Sequence, residues 1–363
     1  MNYLFVSASL TKCIILIGLV VRSSPYRWLL WVPVAAVNTY CYLSTDSENS
    51  LRVQVLLDTL TASDYILLTD VQREFRQVGQ REPISSAGIW PRFKWALQLW
   101  ISPRGVGWNF EPKSSLPPHP NLTKLEFLRS RFISLALALI GNDIAFILAS
   151  SDPGFSKHAP AFHKQPVTWR LYATALFFFR TRSALTVNYL MISLLCVGTG
   201  MTEPSSWPDL FGKWGHSYTL RRFWGVTWHQ QLRRIFSSHG RFLAHRVFGF
   251  PSGSIASSYT QLYVAFFLSS IIHVLSFDFR PFRFFLLQAV VITFEDTIIL
   301  IGREYRVQKK LTIPFRLLGY LWVYWTLTLT LGPWFDTMNV AGVNEYNGAY
   351  VLGFLRDWLL SED

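Results

Sequence analysis

The chain has 363 residues, of which 50% are hydrophobic and 15% are charged, whereas an average soluble domain carries about 25% charged residues. Its net charge of +12 would suggest nucleic-acid binding in a soluble protein, but the basic residues lie beside apolar runs, so we expect no nucleic-acid partner. Apolar runs of bilayer-spanning length alternate with charged loops, which predicts an all-α, polytopic integral membrane protein in contact with lipid.

Eight apolar runs are the candidate transmembrane spans. They cover residues 4–21, 28–43, 51–70, 131–150, 183–200, 255–277, 282–301 and 313–331. Asp58 and Asp64 weaken the third span, and the run 171–179 is too short to cross alone, so we expect it to pack at an angle or at the interface. The pattern predicts about seven to nine transmembrane helices in a single membrane-embedded domain over residues 1–363.

Basic residues follow the first, third, fifth and seventh of these spans, whereas the acidic segment 45–48 follows the second. One crossing per span places every basic cluster on the same side, which is the cytosol by the positive-inside rule. We therefore expect a multi-pass protein of the endoplasmic reticulum, with long cytosolic segments at residues 71–130 and 201–254. The first of these segments contains seven prolines and cannot form one helix.

The sequence lacks the motifs of common soluble enzymes and metal sites. It has no Gly-x-Ser-x-Gly elbow, P-loop, His-Glu-x-x-His helix or dinucleotide-binding glycine fingerprint. Cys13, Cys41 and Cys196 show no paired spacing, so they form neither a disulfide framework nor a zinc site. We therefore expect no metal centre, and we look for reactive groups beside or within the spans.

Two histidines stand in unusual surroundings. His273 lies inside an apolar span, where an ionisable group is costly. It is either a general base or a hydrogen-bonded structural residue, with Ser269 one turn earlier as a partner. His229 follows the aromatic and basic run 221–228, which fits either an interfacial aromatic belt or a reactive centre.

The segment after the fifth span is strongly basic. No acidic residue lies between Asp209 and Asp278, whereas seven Lys and Arg residues fall within residues 213–246. Positive-inside topology with lipid contact explains this pattern, and so does a surface for the phosphates of a nucleotide-like cofactor. Glu295 and Asp296 lie within a later span and must be protonated, paired or turned towards a polar cavity.

The segment 207–212 (Trp-Pro-Asp-Leu-Phe-Gly) and the run 218–230, which ends in Trp-His-Gln, resemble the wax-synthase-like branch of the membrane-bound O-acyltransferases. The segment 270–273 (Ser-Ile-Ile-His) is similar to the intramembrane histidine motif of that family. The segment 102–111 resembles fungal members that acetylate terpenoid and meroterpenoid intermediates, so the resemblance covers about residues 90–300.

The run 223–229 is also similar to the Phe-Tyr-x-Asp-Trp-Trp-Asn motif of sterol and diacylglycerol acyltransferases. His229 stands where those relatives carry Asn. Val226 and Thr227 replace the Asp and one Trp of that motif, so the roles of those two residues cannot be transferred.

The resemblance implies an acyltransferase fold with an internal tunnel, open to water at one end and to lipid at the other. It implies that His273 removes the proton of an alcohol and that His229 or Gln230 stabilises the oxyanion. The expected co-substrate is acetyl-CoA, with an apolar alcohol as acceptor and no tightly bound cofactor. The residues expected to bind CoA are Trp228, Gln230, Arg233, Arg234, Arg241 and Arg246.

These expectations describe an O-acetyltransferase that acts on a terpenoid-type alcohol. A wax synthase would keep the fold and join a fatty acyl-CoA to a long-chain alcohol. A membrane terpene cyclase would instead need an acid such as Glu295 as proton donor and no CoA. A transporter would need no chemistry, but the sequence has no paired Gly- or Pro-broken spans in matching halves.

Overall fold

The computed structural model describes residues 2–43, 49–274, 279–304 and 313–342, where the chain forms helices and connecting turns. The α-helices are α1 (Asn2–Val20), α2 (Trp31–Leu43), α3 (Asn49–Ala62), α4 (Val71–Glu74), α5 (Ile89–Trp100), α6 (Lys124–Ser150), α7 (Val167–Gly198), α8 (Leu220–Arg222), α9 (Arg233–Arg241), α10 (Ile255–Val274), α11 (Arg280–Glu304) and α12 (Ile313–Val340). Three π-helices directly extend α3, α8 and α9, at Ser63–Leu68, Phe223–Thr227 and Phe242–Val247. Short 3₁₀ turns occupy Arg27–Leu30, Ile84–Ser86, Pro153–Phe155, Phe162–Lys164, Pro204–Ser206 and Trp214–His216.

The helices confirm the prediction of an all-α membrane protein. Among the described residues, four helices are long and apolar enough to cross a membrane by length and composition, namely Lys124–Ser150, Val167–Gly198, Ile255–His273 and Arg280–Gly302. Helices α1, α2, α3 and α12 coincide with the other four predicted spans, and the number of crossings stays a prediction. The acidic segment 45–48 and most of the last basic cluster, within 305–312, lie outside the described residues.

One prediction about the spans is wrong. The apolar run 171–179 does not pack at an angle before a separate span, because α7 continues unbroken over Val167–Gly198. Arg180 and Arg182, near its middle, lie over aromatic rings at 5.4 and 4.4 Å from the ring centroids. Aromatic faces attract cations, so these arginines are accommodated without a break in the helix. A helix of 32 residues is about 48 Å long, which exceeds the hydrocarbon thickness of about 30 Å.

Local signals explain where the long helices of the central region begin. Thr123 and Glu126 form a capping box before α6, in which the Glu126 carboxylate accepts a hydrogen bond from the Thr123 N–H at 2.8 Å. Pro166 immediately precedes α7, where a missing N–H costs nothing. The proline-rich segment 71–130 is divided among α4, α5, turns and the start of α6, as the sequence predicts.

Contacts group the chain into two units. Unit 1 comprises Met1–Ser115 and His229–Phe294, and unit 2 comprises Leu116–Trp228 and Glu295–Asp363. In unit 1, α1 packs on α2 and α5, while α9 packs on α10. The buried core of unit 1 includes Ile15, Leu19, Val34, Trp95, Leu99 and Trp108.

Unit 2 is built around α7, against which both α6 and α12 pack. Four aromatic side chains form a cluster at one end of these helices: Phe155, Phe162, Trp169 and Phe335. Their ring centroids lie between 5.1 and 6.0 Å apart, within the range that stabilises offset and edge-to-face pairs. The aromatic-rich composition therefore serves helix packing in this unit.

Candidate active site

His273 lies near the end of α10 with one ring nitrogen bonded to its own helix. Its Nδ1 donates to the backbone carbonyl oxygen of Ser269 at 2.7 Å, and its ring packs on Phe285 with centroids 4.3 Å apart. A carbonyl oxygen can only accept, so Nδ1 carries the proton and Nε2 of the neutral ring carries a lone pair. The expected partner Ser269 thus contributes its backbone rather than its hydroxyl, and the tautomer is the one a general base requires.

His229 lies between the π-helix Phe223–Thr227 and α9, in unit 1 with His273. Burial, followed by electrostatic interactions with His273 and Arg104, lowers the pKa of His229 from its usual 6.5 to about 4. The structure therefore brings the two predicted histidines within electrostatic reach of each other. It also keeps the His229 imidazole neutral at physiological pH.

Arg104 lies within electrostatic reach of His229, and sequence reasoning did not single it out. Its side chain is buried, and it belongs to the segment 102–111, whose resemblance to other proteins was the one available signal. Gly105 and Gly107 both have positive φ angles, of 67° and 77°, a conformation that favours glycine. The Gly107 N–H donates to a Glu111 carboxylate oxygen at 2.8 Å, so the segment holds a defined turn beside Arg104.

Gln230 and Arg233 form a buried hydrogen-bonded pair directly after His229. The Arg233 guanidinium donates through Nη1 to the Gln230 side-chain oxygen at 2.9 Å, and Gln230 is 5% exposed. Burial lowers the pKa of Arg233. The hydrogen bond fixes the orientation of the Gln230 amide, whose NH₂ group points away from Arg233 as a donor.

Arg234 occupies different surroundings from those predicted for a phosphate ligand. Its Nε and Nη2 donate to the two carboxylate oxygens of Asp64 at 2.9 and 3.0 Å, and Nη2 also donates to Thr69 Oγ1 at 2.8 Å. The guanidinium lies over the rings of Phe75 and Phe110, 4.5 and 5.2 Å from their centroids. This bidentate pair joins α9 to the π-helix Ser63–Leu68. By contrast, Arg241 and Arg246 are exposed.

Trp228 belongs to unit 2 and is 7% exposed. Its ring packs against those of Phe178, Phe211 and Phe223, with centroids 5.3, 5.2 and 5.6 Å away. The backbone N–H of Trp228 donates to the backbone carbonyl oxygen of Phe223 at 2.7 Å and closes the π-turn. Its ring is therefore surrounded by protein rings, and its contact with CoA stays a prediction.

Glu295 and Asp296, which had no role from sequence, organise the start of α8 in unit 2. The Glu295 carboxylate accepts hydrogen bonds from the Leu220 N–H at 2.9 Å, the Arg221 N–H at 3.3 Å and Trp322 Nε1 at 3.0 Å. Asp296 pairs with the Arg221 side chain. Three donors directed at one carboxyl use its oxygens as acceptors, so Glu295 has a structural role at the start of α8.

Comparison with known proteins gives a family match and several similar relatives. Residues 207–280, which include both histidines, match the model of the membrane bound O-acyl transferase family. The chain is 36% identical over 327 residues to "Acetyltransferase ple2" of Rhodocybe pseudopiperita, covering 86% of this chain and 85% of that protein. It is 31% identical over 350 residues to "Acetyltransferase eriL" of Hericium erinaceus, covering 92% of this chain and 90% of that protein.

A third relative, "Acetyltransferase sirH" of Emericella nidulans, is 31% identical over 250 residues, which is 66% of this chain and 58% of that protein. No solved structure matches the chain. Identities of 36% and 31% over most of both chains, together with the match over the histidine region, show that the protein is an acyl-transferring enzyme of the membrane bound O-acyl transferase family.

Proposed function

We propose that the protein is an O-acetyltransferase that moves the acetyl group of acetyl-CoA to a hydroxyl of an apolar, terpenoid-type intermediate in secondary metabolism. The observation that carries the proposal is the tautomer of His273, whose Nδ1 is held by Ser269 so that Nε2 is the basic atom. The names of the relatives support acetyl as the group transferred.

The reaction follows from the roles of these side chains. His273 Nε2 takes the proton of the alcohol as its oxygen attacks the thioester carbonyl. The developing oxyanion is stabilised by donors from His229 and Gln230 and by the positive charge of Arg104. The C–S bond then breaks, and the proton on His273 passes to the departing CoA thiolate. His229 is neutral near pH 7, so it acts as a donor without adding a buried charge.

We assign CoA binding to the exposed arginines of α9 and the π-helix after it, Arg241 and Arg246, with Arg233 at the start of α9. Exposed guanidinium groups suit the CoA phosphates, because phosphates accept charge-assisted hydrogen bonds. The apolar acceptor enters from the bilayer of the endoplasmic reticulum through an internal tunnel. The whole chain serves as one acyltransferase domain in this proposal.

The experiment is an assay of microsomes that contain the protein, with labelled acetyl-CoA or palmitoyl-CoA and a panel of terpenoid and fatty alcohols. We expect acetylated terpenoid as the main product. Wax ester with little acetylation would replace this proposal by the wax-synthase alternative. Absence of any CoA-dependent product would contradict both.

Variants of the two histidines test the roles within that assay. We expect His273→Asn to lose about 10²–10⁴-fold in kcat, because an amide cannot accept the proton. His229→Asn should retain more activity than His229→Ala, because an amide can still donate to the oxyanion. His245→Asn is the matched control, since its Nδ1 also bonds a backbone carbonyl, at 2.8 Å, without a proposed role in the reaction. Full activity of His273→Asn would remove the assigned base.

A further inference from the structure

A serine and a histidine outside the proposed reaction centre form a close pair in unit 1. Ser63 begins the π-helix that follows α3, and His239 lies on α9. The Ser63 Oγ and His239 Nε2 atoms are 2.5 Å apart. His239 Nδ1 donates to the backbone carbonyl oxygen of Ile235 at 2.7 Å.

These contacts fix the direction of the serine hydrogen bond. The Ile235 carbonyl oxygen can only accept, so Nδ1 of the neutral imidazole holds the proton and Nε2 accepts. Ser63 Oγ–H is therefore the donor to His239. A hydroxyl bonded to an imidazole whose second nitrogen is oriented by a third group is the arrangement of an activated nucleophile.

The surroundings hold this pair in place and leave it reachable. Arg234 on α9 binds Asp64, the residue after Ser63, through two hydrogen bonds, so the same two elements are tied together beside the pair. Ser63 and His239 are each only half-buried. Arg241 is exposed at the end of α9, two residues beyond His239, and would attract an anionic acyl donor.

We propose that Ser63 is a nucleophilic serine that accepts an acyl group from an acyl thioester, with His239 as its base. The Ser63 Oγ–acyl carbon bond forms and the carbon–sulfur bond breaks. The hydroxyl proton passes to His239 Nε2 and from there to the departing thiolate, giving a serine ester and a free thiol. Water then hydrolyses the ester to a carboxylic acid. The proposal rests on the proposed function only for the identity of the thioester, acetyl-CoA.

Two probes of the purified full-length protein test it separately from alcohol acetylation. A fluorophosphonate probe reports a nucleophilic serine without any need for CoA. Acetyl-CoA without an alcohol reports acyl transfer to the protein, read as an acetylated peptide by mass spectrometry. We expect both labels on Ser63. His239→Gln should slow each labelling reaction about 10²-fold or more through loss of the base, and Ser63→Ala should abolish them.

Ser258→Ala is the matched control, because the Ser258 hydroxyl donates to the Ser254 carbonyl oxygen instead of to a histidine. Wild-type protein that carries neither label on Ser63 overturns the proposal, even if it acetylates the alcohol normally. Fluorophosphonate labelling of Ser63 that depends on His239 upholds the nucleophilic serine. If that labelling occurs while acetyl-CoA produces neither acetyl-Ser63 nor acetylated alcohol, the proposed acetyl donor is wrong instead. The result that overturns the proposal is read on the wild type, so misfolding of a variant cannot overturn it.

Discussion

Two arginines from the same basic segment form ion pairs in opposite surroundings. In unit 1, the side chains of Arg234 and Asp64 are 11% and 0% exposed. In unit 2, those of Arg221 and Asp296 are 45% and 23% exposed. A segment that is uniformly basic in sequence therefore contains one buried and one more exposed arginine that already pair with acidic side chains, and neither of these two is free for a polyanionic substrate.

The difference in burial determines how much the stability of the protein depends on each ion pair. Removal of one partner from a buried pair leaves an unpaired charge in a poorly solvated site, whereas water takes over at an exposed pair. Unit 1 should therefore depend strongly on its pair and unit 2 only weakly. The following predictions test that contrast, beginning with the largest effect.

Asp64→Asn should destabilise the protein by about 3–5 kcal/mol, because the Arg234 guanidinium loses its carboxylate while it stays buried. Thermal unfolding in detergent, followed by tryptophan fluorescence, measures the change. The double variant Asp64→Leu/Arg234→Met should recover much of the loss, since it removes both charges. A loss below about 1 kcal/mol for the single variant would show that water reaches this pair.

The burial of His229 in unit 1 also predicts that the stability of the protein depends on pH. The pKa of His229 is about 4 in the folded protein against a usual 6.5, so the unfolded chain binds more protons between these values. The contribution of neutral His229 to the free energy of unfolding is therefore fully present above pH 6.5 and is lost as the pH falls towards 4. The loss reaches about 3 kcal/mol, since each pKa unit corresponds to about 1.4 kcal/mol. Wild type should lose more stability than His229→Asn over this range. If stability falls with pH equally in the wild type and in His229→Asn, the pKa of His229 is not lowered in the folded protein.

Glu295→Gln in unit 2 should cost about 1–3 kcal/mol. Glutamine can keep one oxygen towards Leu220 and Trp322, but its NH₂ group then faces the Arg221 N–H and one hydrogen bond is lost. Thermal unfolding compared with Asp296→Asn measures the difference. Equal effects of the two substitutions would argue against the capping role of Glu295.

The exposed Arg241 and Arg246 of unit 1 should contribute to substrate binding rather than to the stability of the protein. Arg241→Gln/Arg246→Gln should raise the apparent KM for acetyl-CoA about tenfold, equivalent to about 1.4 kcal/mol, and leave the KM for the alcohol unchanged. Arg81→Gln, an exposed arginine outside α9, is the control for general loss of positive charge. An equal rise in both KM values would show that these arginines anchor the protein instead.

The smallest effect is expected at the exposed pair. Arg221→Gln should change stability by less than about 1 kcal/mol, because both side chains of the pair are partly exposed and salt screens the attraction between exposed partners. The change should shrink as the salt concentration rises. A loss comparable to that of Asp64→Asn would erase the contrast between the two units.

Sequence patterns predicted the helical membrane class, because apolar run length is a local feature. They also singled out His273 within an apolar span and His229 after an aromatic and basic run, and the catalytic roles of both residues stay predictions. They could not predict the partner of Arg234, since Asp64 lies 170 positions away. The absence of acids between Asp209 and Asp278 suggested an unopposed positive surface, but neutralisation comes from outside that window.

The unbroken α7 and the role of Glu295 were missed for related reasons. Arg180 and Arg182 seemed to divide an apolar run, whereas aromatic rings contributed by other parts of the chain receive them. Glu295 looked like a costly charge in a span, and the backbone N–H groups that compensate it carry no sequence signature. Long-range partners thus account for most of what sequence alone could not predict.

The π-turn that ends at Trp228 has a consequence for insertions and deletions. The turn from Phe223 to Trp228 closes with one residue more than an α-helical turn, and the chain then becomes extended, with ψ of 152° at Trp228. Deletion of one residue within Phe223–Thr227 would restore α-helical spacing and rotate everything after it by about 100° around the helix axis. The indole would leave its aromatic neighbours. The number of residues in this stretch is therefore constrained more tightly than the identity of an outward-facing residue such as Val226.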